Sequence, residues 1–160
     1  MRSRSGLLAL LLLLSGEAWS QGLEAIHYGR RLVTETFAHI GPEVADPAMR
    51  FAGNNLACQN CHLDAGHVAG GLALVGVSAK YPRSQAYGTV ETLADRINGC
   101  MERSMNGLPL PEAGSEMQAL VAYLDMLTRE GGSFGNPVED PKPLAEPGTT
   151  PDPARGASLY

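Results

Sequence analysis

The segment Cys58-Gln59-Asn60-Cys61-His62 constrains this chain more than any other part of it. Two thiols three positions apart, followed at once by an imidazole, match the attachment signature of c-type haem. The thiols add to the two vinyl groups of one haem, and the histidine is then held where its imidazole can bind the iron. A chain built this way folds around a large apolar group as well as around its own side chains. Two other uses of such a pair fit less well. A redox dithiol wants a preceding strand and a helix N-terminus to lower its thiol pKa, and no strand pattern precedes Cys58. A zinc site needs a second cluster of Cys or His, and only His67 lies close. Cys58, Cys61 and His62 are therefore the expected haem-binding residues, with one haem c in this chain and His62 in one axial position.

The first twenty residues predict a signal peptide, residues 1–20. Arg2 and Arg4 form a positive start, Leu7 to Leu14 is an apolar run broken only by Ala9, and Ala18 and Ser20 precede a cut ahead of Gln21. The apolar part is too short for a stable membrane anchor, the alternative use of such a segment. Removing it takes away Arg2, Arg4 and Glu17, leaving 10 basic and 16 acidic residues and a formal charge of −6. An acidic surface argues against nucleic acid and against anionic lipid as partners. Export also suits haem attachment, which takes place outside the bacterial cytoplasm.

The remainder reads as helices joined by glycine- and proline-rich loops, a mainly α chain. Ile26, Leu32, Val33 and Phe37 predict one apolar face on a helix over residues 23–40, ending before Gly41-Pro42. A second helix is expected over 92–106, capped by Thr89 or Thr92 and stopped by Gly107. A third starts at a capping box of Ser115 and Gln118, carries Met117, Leu120, Val121, Leu124 and Leu127 as its stripe, and ends at Gly131-Gly132. The first and third are expected to cross beside the haem. No strong strand alternation is visible. Residues 21–132 thus form one haem domain. Residues 133–153 hold six of the eleven prolines and predict an extended linker. In residues 154–160, "ARGASLY", Gly156 to Leu159 echo Gly29 to Leu32. They read as the start of a second, similar domain that the chain does not continue, or else as a tail.

The second axial ligand is open on sequence. Cys100, the methionines Met49, Met101, Met105 and Met117, and the histidines His27, His39 and His67 are the candidates. Methionine is the usual choice in electron carriers, but methionines at helical spacing are commonly core filler. Cys100 has no disulfide partner left within the chain, because haem takes the other two thiols. On a helix, Arg96, Cys100 and Ser104 lie four apart and share a face, with Arg103 beside them. Guanidinium groups favour thiolate over thiol and make a cationic site for an oxyanion. The bland alternative is an inert thiol between arginines that pair with Asp95 and Glu102.

Three runs, "GNNLACQNCHLDAG", "RINGCMERSMNGLPLP" and "SEMQALVAYL", together resemble the first haem domain of the bacterial dihaem thiosulfate dehydrogenases. The likeness covers residues 24–130. It implies a class I cytochrome c-like fold around one covalent haem, a second haem in a full-length protein and a periplasmic location. It also implies that Cys100 and His62 are the axial ligands of an active-site haem, with Arg96 and Ser104 lining the site and Arg103 in the same motif. The resemblance implies an enzyme that couples two thiosulfate into tetrathionate, or the reverse, with a cytochrome c as electron acceptor. Two rival functions remain at this stage. One is an electron-transfer cytochrome with Met101 or Met105 as ligand, and the other is a haem subunit of a sulfur-oxidation complex.

Overall fold

A computed structural model describes the backbone of residues 5–131 and 154, and of these the side chains from Ser20 onward except Tyr87. The helices are α1 (Ser5–Thr34), α2 (Thr36–Ile40), the short α3 (Leu63–Gly66), α4 (Leu93–Arg103) and α5 (Ser115–Glu130). Single 3-10 turns at Pro47–Met49, Cys58–Asn60, Ser78–Lys80 and Ala86–Gly88 punctuate the loops between them. An antiparallel pair, β1 (Arg83–Ser84) and β2 (Val90–Glu91), aligns Arg83 with Glu91 and Ser84 with Val90. Its strands of two residues each are too short to leave an alternating pattern in sequence. The expected signal-peptide boundary at Gln21 falls inside α1. The expected linker, 133–153, lies outside the described residues, as does the start of a second domain at 154–160 apart from Ala154. No helix among the described residues is long and apolar enough to cross a membrane.

The core is the crossing of α1 on α5. Leu32 and Val33 from α1 meet Met117, Leu120, Tyr123, Leu124 and Leu127 from α5, all buried. Fully burying side chains of this size is worth about 1.5–3 kcal/mol each. Gly29 sets the separation of the two helices. A Cβ there would stand 2.0 Å from the Ala119 carbonyl oxygen and 2.7 Å from Tyr123 Cβ.

Three helix boundaries differ from the sequence reading. The helix expected over 23–40 divides at Glu35, whose φ of −139° and ψ of 40° leave the helical region. Thr36 then starts α2 with its hydroxyl donating to Leu32 O at 2.5 Å, a local bond of the kind that competes with helix continuation. The break resets the phase. Thr36 and Ile40 turn inward, while Phe37, expected on the core face, is 44% exposed. At α5 the expected Ser115–Gln118 capping box is not formed. Gly114 is the N-cap, the Ser115 hydroxyl donates to Glu116 Oε1 at 2.9 Å, and Gln118 Nε2 donates to Glu112 O at 2.8 Å. The box appears instead on α4, where Thr92 Oγ1 accepts from Asp95 N and the Asp95 carboxylate accepts from Thr92 N. That helix stops at Arg103 rather than Asn106. Asn106 takes a φ of 50°, and Gly107 N returns to Met101 O at 3.0 Å, satisfying a carbonyl of the last turn.

Loop contacts then anchor α4. Gly53 N donates to Met105 O and Leu108 N to Phe51 O, at 2.9 and 2.8 Å. The amide of Asn98 both donates to Leu110 O and accepts from Leu110 N, as a peptide group would. With α1 and α5 crossed behind it and these ties at its end, α4 holds one wall of a cavity.

Candidate haem site

The Cys58–His62 segment is shaped by a 3-10 turn. Asn60 N donates to Ala57 O, Cys61 N and His62 N both donate to Cys58 O, and Asn60 Oδ1 accepts from Ala57 N. Such a turn stacks residues i and i+3, which sets Cys58 and Cys61 side by side. Thr36, buried at the head of α2, reaches this turn across the fold. Its Oγ1 accepts from Cys58 N at 3.0 Å and lies 3.4 Å from Cys58 Sγ. Burial pushes the Cys58 thiol up from its ordinary pKa, the Thr36 contact opposes this, and the nearness of Cys100 raises it further. A thiol raised this way is a poor redox nucleophile.

His62 Nδ1 lies 2.5 Å from Leu72 O. A backbone carbonyl can only accept, so Nδ1 carries a proton and the neutral ring presents its lone pair at Nε2, the arrangement of metal-binding histidines. The loop that delivers the carbonyl is wound tightly: Asp64, Ala65 and Leu72 all have φ near 50°, and Leu63 N donates to Gly71 O at 3.1 Å.

Between these pieces lies a cavity of about 330 Å³, within the ~300–1,000 Å³ of cofactor sites. Cys58, Cys61 and His62 line it together with Arg96 and Cys100 of α4 and with Ser104, the C-cap of that helix. Leu72, Leu74 and Val77 supply loop walls, and Val33, Leu120 and Leu124 bring in α1 and α5. The donor set fits a covalent haem. Two thiols sit at one edge, an imidazole nitrogen is free to ligate, and the surrounding walls are mostly apolar.

Of the residues singled out on α4, Arg96, Cys100 and Ser104 reach the cavity. Arg103 does not. Its Nε donates to Gly99 O at 3.0 Å, folding the guanidinium back along its own helix. Three positions from Cys100 is a neighbouring face, not the same one. Among the other ligand candidates, Met101 and Met105 line the cavity and are buried. Met117 belongs to the core, and Met49 packs half-buried against it. His27 is exposed, His39 stacks edge-on against Tyr28 with Glu35 at 3.7 Å, and His67 Nδ1 lies 2.7 Å from Asp64 O. None of these three lines the cavity, so Cys100, Met101 and Met105 are the candidates that the fold brings to it.

Sequence reasoning missed Thr36, the Leu72 carbonyl and Asn98. Their partners lie 22, 10 and 12 residues away, and no local pattern signals such pairs.

Residues 50–131 match the family described as SoxA/TsdA, cytochrome c domain. The thiosulfate dehydrogenase of Thiomonas intermedia (strain K12) is 33% identical over 120 residues, which is 71% of this chain and 37% of that protein. The thiosulfate dehydrogenase of Psychrobacter arcticus is 38% identical over 79 residues, 49% of this chain and 24% of that one. A solved structure, the thiosulfate dehydrogenase TsdBA of Marichromatium purpuratum in its "as isolated" form, superposes with a TM-score of 0.62 at 29% identity, over 86% of this chain and 30% of that chain. The chain therefore spans about a third of the length of the relatives it resembles. With the Cys58–His62 turn at the edge of an apolar cavity on a helical frame, and with just over half its residues matched, the chain belongs to the SoxA/TsdA cytochrome c domain family.

Proposed function

We propose that this chain carries the substrate-coupling site of a periplasmic thiosulfate dehydrogenase, joining two thiosulfate ions into tetrathionate. The observation that carries the reading is that Arg96, Cys100 and Ser104 line the same cavity as Cys58, Cys61 and His62. Cys58 and Cys61 would attach the haem, and His62 and Cys100 would hold its iron. The haem would supply one-electron redox chemistry.

The chain's own side chains meet an electrostatic problem. Two dianions 4 Å apart repel by about 4 kcal/mol even at the dielectric of water. Arg96 offsets that repulsion at the cavity wall, and the Ser104 hydroxyl offers a donor to a sulfonate oxygen. Coupling forms one S–S bond between the two sulfane sulfurs and releases two electrons, which leave singly to an electron-accepting cytochrome c. In a covalent version, the Cys100 thiolate and one thiosulfate form Cys–S–S–SO₃⁻ with release of two electrons. The sulfane sulfur of a second thiosulfate then attacks the sulfur bearing the sulfonate, and the Cys100 thiolate leaves. Run backwards, the same steps consume tetrathionate and two electrons.

Met101 and Met105 favour a second reading, an electron carrier with methionine ligation, because both border the cavity. The visible spectrum of the oxidised, haem-loaded protein before and after thiosulfate decides between them. For the enzyme, thiosulfate reduces the wild-type haem, while Cys100→Ala changes the ligand spectrum and slows reduction by at least about 10³-fold. Identical spectra for the two proteins, with neither responding to thiosulfate, would leave an electron carrier.

A further inference from the structure

The imidazole of His62 is presented by a loop that α5 grips at two places. Beyond His62 the chain turns through Asp64 and Ala65, with φ of 50° and 52°. It comes back at Leu72, with φ of 51°, and sets Leu72 O 2.5 Å from His62 Nδ1. A side chain disfavours the left-handed region, so three such residues persist only where their surroundings hold them. Inside the loop, Gly66 N donates to His62 O at 2.9 Å and Leu74 N to Gly66 O at 2.8 Å. Those bonds close the turn without tying it to the helical frame.

The ties come from α5. The Tyr123 hydroxyl donates to Ala65 O at 2.9 Å, a buried bond between residues 58 apart in sequence. Tyr123 is the bulkiest of the fully buried side chains. Its ring sits in the α1–α5 crossing beside Gly29, so the hydroxyl starts from a fixed place. On the other limb, Thr128 Oγ1 accepts from Ser78 N at 3.2 Å and from the Ser78 hydroxyl at 2.8 Å, and it donates to Leu124 O. One helix therefore holds both the limb that carries His62 and the limb that carries Leu72. The contact between His62 and Leu72 O lies between these anchors, and freeing either limb loosens it.

That contact bears on the iron the imidazole would hold. A carbonyl accepting from Nδ1–H makes Nε2 a stronger donor. Greater donation stabilises the more positive, oxidised iron, and hydrogen bonds beyond the ligands are among the levers on haem potential. We infer that Tyr123 is a positioning residue for His62: through Ala65 its hydroxyl keeps the imidazole on Leu72 O, and so favours the oxidised state of a bound haem. The inference rests on the reading of His62 as an iron ligand and makes no use of thiosulfate.

The test is a spectroelectrochemical titration of the haem-loaded chain, with solvent exchange of the His62 Nδ1 proton followed by NMR. Wild type is compared with Tyr123→Phe, which keeps the packed ring and removes only the hydroxyl. The control is Leu127→Val, a cut in the same buried stripe of α5 with no polar group to lose. Tyr123→Phe should make the reduced state about threefold more favourable, a rise in midpoint of about 30 mV at 59 mV per tenfold. Exchange of the Nδ1 proton should quicken about threefold as well. Leu127→Val should melt at a lower temperature yet keep the wild-type potential and exchange. A Tyr123 that only filled the core would behave as Leu127 does. A wild-type potential or a wild-type exchange rate in Tyr123→Phe overturns the inference, as does an equal shift in Leu127→Val. The His62 ring signals of the oxidised protein separate the two assignments, because the unpaired electron shifts a ligand ring strongly. Unshifted signals remove the ligand and the positioning role together. Shifted signals with an unmoved potential remove the positioning role alone.

Discussion

Tyr28 and Glu116 show how a single buried contact fixes a pH response. The Tyr28 hydroxyl donates to Glu116 Oε1 at 3.2 Å, beside the Ser115 hydroxyl on the same oxygen. Burial, then the Glu116 charge, pushes the Tyr28 pKa up to about 12. The unfolded chain releases this proton near pH 10, so the folded state holds it more tightly. The contribution is whole below pH 10 and is lost as pH rises through about 12. Thermal melts of the haem-loaded protein should therefore fall across that window, and Tyr28→Phe should flatten the fall. Tyr123, also raised by burial, keeps a residual slope. Near neutral pH the same variant should cost about 1–2 kcal/mol, because buried Glu116 loses a donor. At this scale the attachment signature is local in sequence, so Cys58, Cys61 and His62 were expected together, and they line one cavity. Helical spacing put Arg96, Cys100 and Ser104 on one face, and that face lines the cavity, while Arg103 bonds back to Gly99 O.

At the scale of elements, the α1–α5 crossing has little room to spare. Gly29→Ala places a methyl against the Ala119 carbonyl and Tyr123, so the helices must separate or bend. Overpacking of this kind costs about 1–3 kcal/mol. Urea denaturation should show a lower midpoint with an unchanged slope, since the surface exposed on unfolding stays the same. The stripe of α5 was readable because five apolar residues recur at helical spacing. The break at Glu35 was not. It depends on Thr36 bonding Cys58, and periodicity within residues 23–40 carries no trace of that partner. The Ser115 box failed for a related reason. Gln118 bonds Glu112 in the preceding loop, and Gly114 takes the cap.

For the whole molecule, the cavity couples haem to folding. At about 24 cal/mol per Å³, an unfilled volume near 330 Å³ corresponds to on the order of 8 kcal/mol. That is an upper bound, because exposed Cys61 and Leu56 at its margin let water in. It still falls within the ~5–15 kcal/mol that hold a domain together. The double variant Cys58→Ser/Cys61→Ser, which cannot attach haem, should keep much of its far-ultraviolet helical signal. It should lose its near-ultraviolet signal and its cooperative melt. A sharp melt with native near-ultraviolet bands would show that the side chains alone complete the core.

The sequence by itself determined the chemistry of one edge of the cavity and the helical character of its walls. Thiol spacing, apolar periodicity and the polarity of caps act over a few residues, so a linear reading captures them. Tertiary structure alone decided which residues share the site. It brought Thr36 to the back of Cys58 and Leu72 O to His62. It left Cys100, Met101 and Met105 at the cavity while turning Arg103 away. Each of these outcomes depends on the packing of segments distant in sequence, which no local pattern records.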